Sequence, residues 1–87
     1  MAGSFVYGLS GAFMQECTVK DGRIEQTNFH EYNSMRIAQM PKVETVVLQG
    51  GGPVWGGIGE PTICVAAPAV MNAFYRATGK RIRSVPF

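Results

Sequence analysis

At 87 residues the chain is one small unit at most, and a unit of this size buries only about two-thirds of its unfolded surface, which leaves a marginal core. A charged content of 16% and a net charge of +2 create no field of the kind that holds nucleic acid, and no basic stripe interleaved with aromatics is present. No apolar run approaches the roughly 18 residues that a membrane span requires, and no export signal is read, so cytoplasmic and periplasmic placement both fit.

Over residues 4–14, Phe5, Leu9 and Phe13 recur at helical spacing, which predicts a helix. Gly3, Gly8 and Gly11 each weaken it by about 1 kcal/mol relative to Ala, so their presence points to a close neighbour, either another element or a bound group. Asp21-Gly22 is a strong two-residue hairpin signal. It pairs residues 15–20 with residues 23–28, sets Val19 opposite Ile24, and puts both on a buried face with Cys17. Residues 29–41 read as an irregular crossover with a short extended segment at residues 35–38. His30, the lone histidine, reads as structural rather than as an acid–base group. Residues 43–49 are β-branched and alternate, with Val43, Thr45 and Val47 on one face and Glu44, Val46 and Leu48 on the other. Apolar residues on both faces predict a central strand.

Residues 50–61 contain six glycines and end in Glu60, held between Gly59 and Pro61. Glycine admits close approach of a ligand to the backbone, and Pro61 biases Glu60 toward an extended conformation. The segment is either a glycine-rich surface loop with an incidental carboxylate or the display of a catalytic base. Residues 68–78 predict a second helix, with Pro68 in its first turn, Val70 and Phe74 one turn apart, and Gly79 as a left-handed stop. Arg76, Lys80, Arg81 and Arg83 then cluster at the negative end of the helix dipole, as caps or as contacts for an anionic cofactor or partner. Residues 81–85 add a short final strand. The predicted class is α+β: a mostly antiparallel sheet of about three to four strands with two helices packed on it, in a single domain over residues 1–87. Cys17 and Cys64 have no Cys-x-x-Cys spacing, so they read as reduced, partly buried small hydrophobes, and no metal ligands are assigned.

Gly57-Ile58-Gly59-Glu60-Pro61, followed by Ala66-Ala67-Pro68-Ala69 and Asn72-Ala73 and closed by Ala77-Thr78-Gly79-Lys80-Arg81-Ile82-Arg83, resembles the C-terminal end of the molybdenum-binding large subunit of the xanthine dehydrogenase and aldehyde oxidase family. Tyr7-Gly8-Leu9-Ser10-Gly11-Ala12, the Asp21-Gly22 hairpin and Asn28-Phe29-His30-Glu31-Tyr32 through Met40-Pro41 are similar to the same family. The bacterial branch typified by isoquinoline 1-oxidoreductase beta subunits is the one they resemble most. The resemblance covers nearly the whole chain. Its most diagnostic part is the Gly-x-Gly-Glu-Pro motif at the expected distance from the Thr-Gly-Lys-Arg end.

The resemblance implies a C-terminal piece of a much longer subunit. It implies hydroxylation of an electron-poor carbon, in an N-heterocycle or an aldehyde, with water as the oxygen source. Glu60 matches the glutamate that removes the proton, and Ile58 and Gly59 would offer backbone beside the cofactor. A carboxylate suits that role because partial desolvation raises its proton affinity toward the working pH. The implied cofactor is molybdopterin with molybdenum, in its cytosine dinucleotide form, in the complete enzyme and none in the isolated chain. The implied partners are the remainder of the large subunit, an iron–sulfur subunit and a small-molecule substrate. Two other readings stand beside this one: a non-catalytic assembly module, and a small-ligand-binding domain that uses the glycine-rich loop. The isolated chain is expected to be catalytically silent and metal-free, and to self-associate through surfaces around Phe5, Leu9, Trp55 and the loop.

Overall fold

The computed structural model of the chain describes residues 1–54 and 56–87. Trp55, one of the residues expected at a self-associating surface, lies outside the described residues. Helix α1 spans Ala2–Phe13 and helix α2 spans Ile63–Thr78. Between them lie a two-stranded antiparallel hairpin, β1 (Val19–Lys20) and β2 (Arg23–Ile24), and one 3-10 turn at Ile37–Gln39. The class is therefore α+β as predicted, with fewer strands and with the two helices packed on each other instead of on a sheet.

The helix pair is built on small residues. Ser4, Gly8, Leu9, Ser10 and Ala12 are buried on α1, and Ser4, Gly8 and Ala12 form a stripe of small residues at four-residue spacing. A Cβ placed on Gly8 would stand 2.6 Å from the Ile63 carbonyl oxygen and 2.7 Å from the Ala66 Cβ. The close neighbour anticipated from the glycines is thus the first turn of α2, at Gly8 alone. A Cβ on Gly3 would meet nothing within 4 Å, and one on Gly11 would touch only the end of the Gln15 side chain. Ala66 is fully buried in return. The same junction is tied by hydroxyls: Ser4 Oγ and Thr62 Oγ1 lie beside each other and within 2.8 Å and 3.2 Å of the Met1 carbonyl, so one hydroxyl donates to that carbonyl and the other donates either to it or to its neighbouring hydroxyl.

Helix α2 begins five residues before the predicted start. Pro68 lies inside it instead of in its first turn. A proline there removes the donor that would serve the Cys64 carbonyl, a cost of about 3 kcal/mol in an isolated helix interior. Cys64 is exposed, so water reaches that carbonyl, and the packing of Ile63 and Ala66 on Gly8 holds the preceding turn helical. The predicted stop is present: Gly79 adopts φ 73° and donates to the Tyr75 carbonyl at 2.7 Å.

The hairpin has the expected register, Val19 opposite Ile24, with Asp21 at φ 52° and Gly22 at φ 73°, the pair of positive angles a tight primed turn requires. Its predicted buried face is absent. Val19 is 70% and Ile24 55% exposed, and Cys17 is exposed as well, because no layer of this chain covers the ribbon. Cys64 departs from its expected burial in the same way. The predicted strands at residues 43–49 and 81–85 do not form among the described residues, since neither finds a partner. Residues 81–87 instead return to α1, where the Phe87 amide donates to the Ala12 carbonyl at 3.1 Å and the Phe87 ring packs edge-on against Phe13, centroids 4.9 Å apart. The expected extended segment at 35–38 is replaced by the 3-10 turn, with the Met35 amide donating to the buried Ser10 hydroxyl at 2.8 Å.

The buried apolar set among the described residues is Leu9, Ala12 and Ala66. The radius of gyration is 16.2 Å, against about 12 Å for a compact domain of this length. The chain is held by one helix contact and its hydrogen bonds, with most of its large apolar side chains outside. Gly8→Ala, which drives a methyl into backbone at Ile63, is expected to destabilise the chain by about 1–3 kcal/mol. Gly3→Ala meets open space and is expected to gain up to about 1 kcal/mol from helix propensity. Urea denaturation followed by helical circular dichroism checks both, and equal effects at the two sites would contradict the helix contact.

Candidate functional site

The glycine-rich loop ends at the N-terminus of α2. The Ile63 amide donates to the main-chain carbonyl of Glu60 at 2.9 Å, closing a tight turn through Pro61 and Thr62. Thr62 stands at the helix N-cap without capping through its side chain, because its hydroxyl is turned toward Met1 and Ser4 of α1. The backbone of Glu60 is therefore fixed to α2, and α2 is fixed to α1 at Gly8. The Glu60 side chain is exposed, and its carboxylate has no hydrogen-bond or ion-pair partner among the described residues.

Gly57, Gly59, Glu60 and Pro61 line one open concavity. A Cβ on Gly57 or Gly59 would meet nothing within 4 Å, so these glycines leave their backbone accessible instead of accommodating a neighbour within the chain. Ile58 lines a second concavity with Val47, Leu48 and Val54. The loop thus separates Ile58 from the Gly59–Glu60 side, and the three site residues named from the resemblance share a backbone segment but not one surface. Among the described residues no cluster of three or more His, Cys, Asp or Glu side chains has the proximity needed to hold a metal. One free carboxylate and bare backbone suit proton transfer and close approach better than metal ligation, so a molybdenum–pterin group would fit only with the metal held by ligands other than these.

The other candidates are accounted for structurally. Arg81 lies over the Tyr75 ring at 3.6 Å and donates to Asn72 Oδ1 at 3.2 Å, while Arg76 sits in the last turn of α2. Half of the basic cluster is thereby committed to the helix end. His30 approaches Glu31 at 3.8 Å on the surface, which agrees with a structural histidine. Glu31 is the more informative neighbour: its carboxylate accepts from the Thr27 amide at 2.8 Å and the Thr27 hydroxyl at 2.9 Å. Sequence reasoning missed the role of Gly8 and Thr62 in positioning Glu60. The signal available was Thr62 itself, an N-cap residue type directly after Pro61, which marks a helix start earlier than Pro68 does.

Hydrogen bonds from the Thr27 amide and hydroxyl hold the Glu31 carboxyl below its ordinary value of 4.5. Because the folded-state value is the lower one, the anchoring of this turn is present above 4.5 and is lost as pH falls through the folded-state value. In an NMR titration the Glu31 carboxylate is expected to have its midpoint below 4.5, with the Thr27 amide resonance moving in step. A Thr27 amide indifferent to acid would contradict the turn.

No family model matches the chain, and no solved structure matches it. Curated relatives do, and three of the four are described below. The chain is 34% identical over 86 residues to the isoquinoline 1-oxidoreductase beta subunit of Brevundimonas diminuta, across 99% of this chain and 11% of the relative. It is 31% identical over 84 residues to a membrane-bound aldehyde dehydrogenase of Gluconacetobacter polyoxogenes, named for pyrroloquinoline quinone, across 97% of this chain and 11% of that one. It is 32% identical over 91 aligned residues to the molybdenum-binding subunit of an aldehyde oxidoreductase of Escherichia coli strain K12, across 97% and 12% respectively. The chain spans about a ninth of the length of the relatives it matches.

Proposed function

Because the chain belongs to the xanthine dehydrogenase and aldehyde oxidase family of molybdenum-binding subunits, we propose that it is the segment of a molybdenum-dependent oxidoreductase that supplies the active-site base, Glu60. The observation that carries this reading is the state of Glu60: an exposed carboxylate without a partner among the described residues, on a backbone anchored to the start of α2. An incidental surface glutamate needs no such anchoring. The substrate of the complete enzyme is an N-heterocycle or an aldehyde, the two classes that appear in the relatives' names.

The chemistry that a molybdenum–pterin cofactor, in its cytosine dinucleotide form, supplies when bound is two-electron oxidation of an electron-poor carbon with oxygen drawn from water. Gly59 contributes backbone that a bound group can approach without meeting a side chain, and Ile58 contributes its backbone amide and carbonyl beside it. Glu60 accepts the proton released as the new carbon–oxygen bond forms, and later returns it to solvent. The water exclusion that strengthens such a base comes from the remainder of the subunit and the bound substrate, since the chain itself leaves Glu60 exposed. An iron–sulfur subunit receives the electrons.

In the complete enzyme, Glu60→Gln keeps side-chain size and hydrogen bonding while removing the proton acceptor. The reductive half-reaction is expected to slow by about 10²-fold or more with molybdenum content unchanged. An exposed loop glutamate without a role would instead change stability by less than about 0.5 kcal/mol and leave turnover intact. Half-reaction rates and elemental analysis on the same preparations separate the two, and near-normal rates at full molybdenum content would remove Glu60 from the mechanism.

A further inference from the structure

We propose that Thr62 is a positioning residue for Glu60: its hydroxyl, directed to the start of α1 and not to its own helix, sets where the Glu60 backbone carries its carboxylate. The proposal rests on the reading of Glu60 as the base. The Glu60 carboxylate has no partner among the described residues, so within this chain its backbone is what places it. That backbone is held by the turn in which the Ile63 amide donates to the Glu60 carbonyl at 2.9 Å. Thr62 lies inside the turn.

A threonine at a helix N-cap ordinarily has extended backbone and accepts from an amide of the first turn. Thr62 does neither: its backbone is helical, φ −74° and ψ −11°, and its side chain makes no cap bond. Its hydroxyl lies instead beside Ser4 Oγ and 3.2 Å from the Met1 carbonyl, groups 58 and 61 positions away in sequence. The second tie between the helices, Ile63 and Ala66 against Gly8, is a van der Waals contact. Such a contact fixes separation and leaves rotation about itself open. A directional hydrogen bond at the helix start removes that rotation. The Glu60 turn projects from this tied end, so a small swing of α2 there is carried directly into the carboxylate. Of the two ties, the hydroxyl is the one that can be removed without changing the packing.

Thr62→Val removes the hydroxyl and keeps the branched shape, and Thr62→Ser keeps the hydroxyl. In the isolated chain, exchange of the Ile63 amide reads the Glu60 turn, and exchange of the Ala73 amide reads α2 as a whole. Thr62→Val is expected to speed exchange at Ile63 at least about fivefold with Ala73 within about twofold of the parent, and Thr62→Ser to leave both within about twofold. In the complete enzyme, Thr62→Val is expected to slow the reductive half-reaction about tenfold at unchanged molybdenum content and substrate affinity, and Thr62→Ser to restore it to within about twofold. In a Glu60→Gln background the same Thr62→Val change is expected to cost less than about twofold, because a base that is absent cannot be misplaced.

Near-normal rates in Glu60→Gln alone would overturn the reading of Glu60, and the positioning role with it. If Glu60→Gln is slow, the base stands, and three results would overturn the positioning role alone: Thr62→Val without effect on the rate, an equal loss in both backgrounds, or lowered molybdenum content. Thr62→Ser as slow as Thr62→Val would do the same. So would an Ile63 amide that exchanges at the parent rate in Thr62→Val, or Ile63 and Ala73 accelerated equally, which would make the hydroxyl a general stabiliser of the helix pair.

Discussion

The contact that everything else depends on is the approach of α2 to Gly8. With no side chain at that position, the Ile63 carbonyl and the Ala66 methyl come close enough to α1 that any Cβ would collide with them. That contact sets the first turn of α2 against α1 and is locked at one end by the Met1–Ser4–Thr62 hydrogen bonds. From there the geometry runs outward in one direction: Ile63 holds the Glu60 carbonyl, and Glu60 ends the glycine-rich loop. The position of a candidate catalytic carboxylate is thus decided by a glycine more than fifty residues away in sequence.

The same contact also shows how little else the chain has. Burying Leu9, Ala12 and Ala66 removes far less apolar surface from water than a domain of this length normally does, and the expanded radius of gyration agrees. Local hydrogen bonds fill part of the gap. Ser10 receives the Met35 amide and the Gln15 side chain, and Thr18 and Gln26 exchange two bonds across the base of the hairpin. Such bonds contribute about 1 kcal/mol each and fix shape more than they supply stability. The apolar side chains left outside, in the ribbon and in residues 46–48, are those a larger body would cover. Of the residues expected at an exposed apolar surface, Leu9 is buried and Phe5 half-buried, while Val54 and Ile58 of the glycine-rich loop are exposed.

A site of this kind divides its labour. The chain presents an exposed carboxylate on an anchored backbone beside stretches of bare backbone, and under the proposed function both act at close range without a side-chain cluster. Metal ligation, water exclusion and substrate selection require groups on several sides of a cavity, and a loop on the surface of a small helix pair has only one side.

Features that depend on a few adjacent residues were legible in the sequence. The Asp21-Gly22 turn with Val19 opposite Ile24, the left-handed stop at Gly79 and the family-bearing Gly-x-Gly-Glu-Pro motif each follow from local backbone preference or local pattern. Alternation at residues 43–49 predicts a strand, but a strand exists only where a second strand pairs with it, and no partner for this segment is present among the described residues. Burial is likewise a property of neighbours, which is why Val19, Ile24, Cys17 and Cys64 lie outside despite their apolar character. Tertiary structure alone decided that Gly8 and not Gly3 or Gly11 is the point of contact, and that the first turn of α2, with the Glu60 backbone bonded to it, is held against α1. Each of these rests on two segments distant in sequence meeting within van der Waals or hydrogen-bond distance, information that no local preference contains.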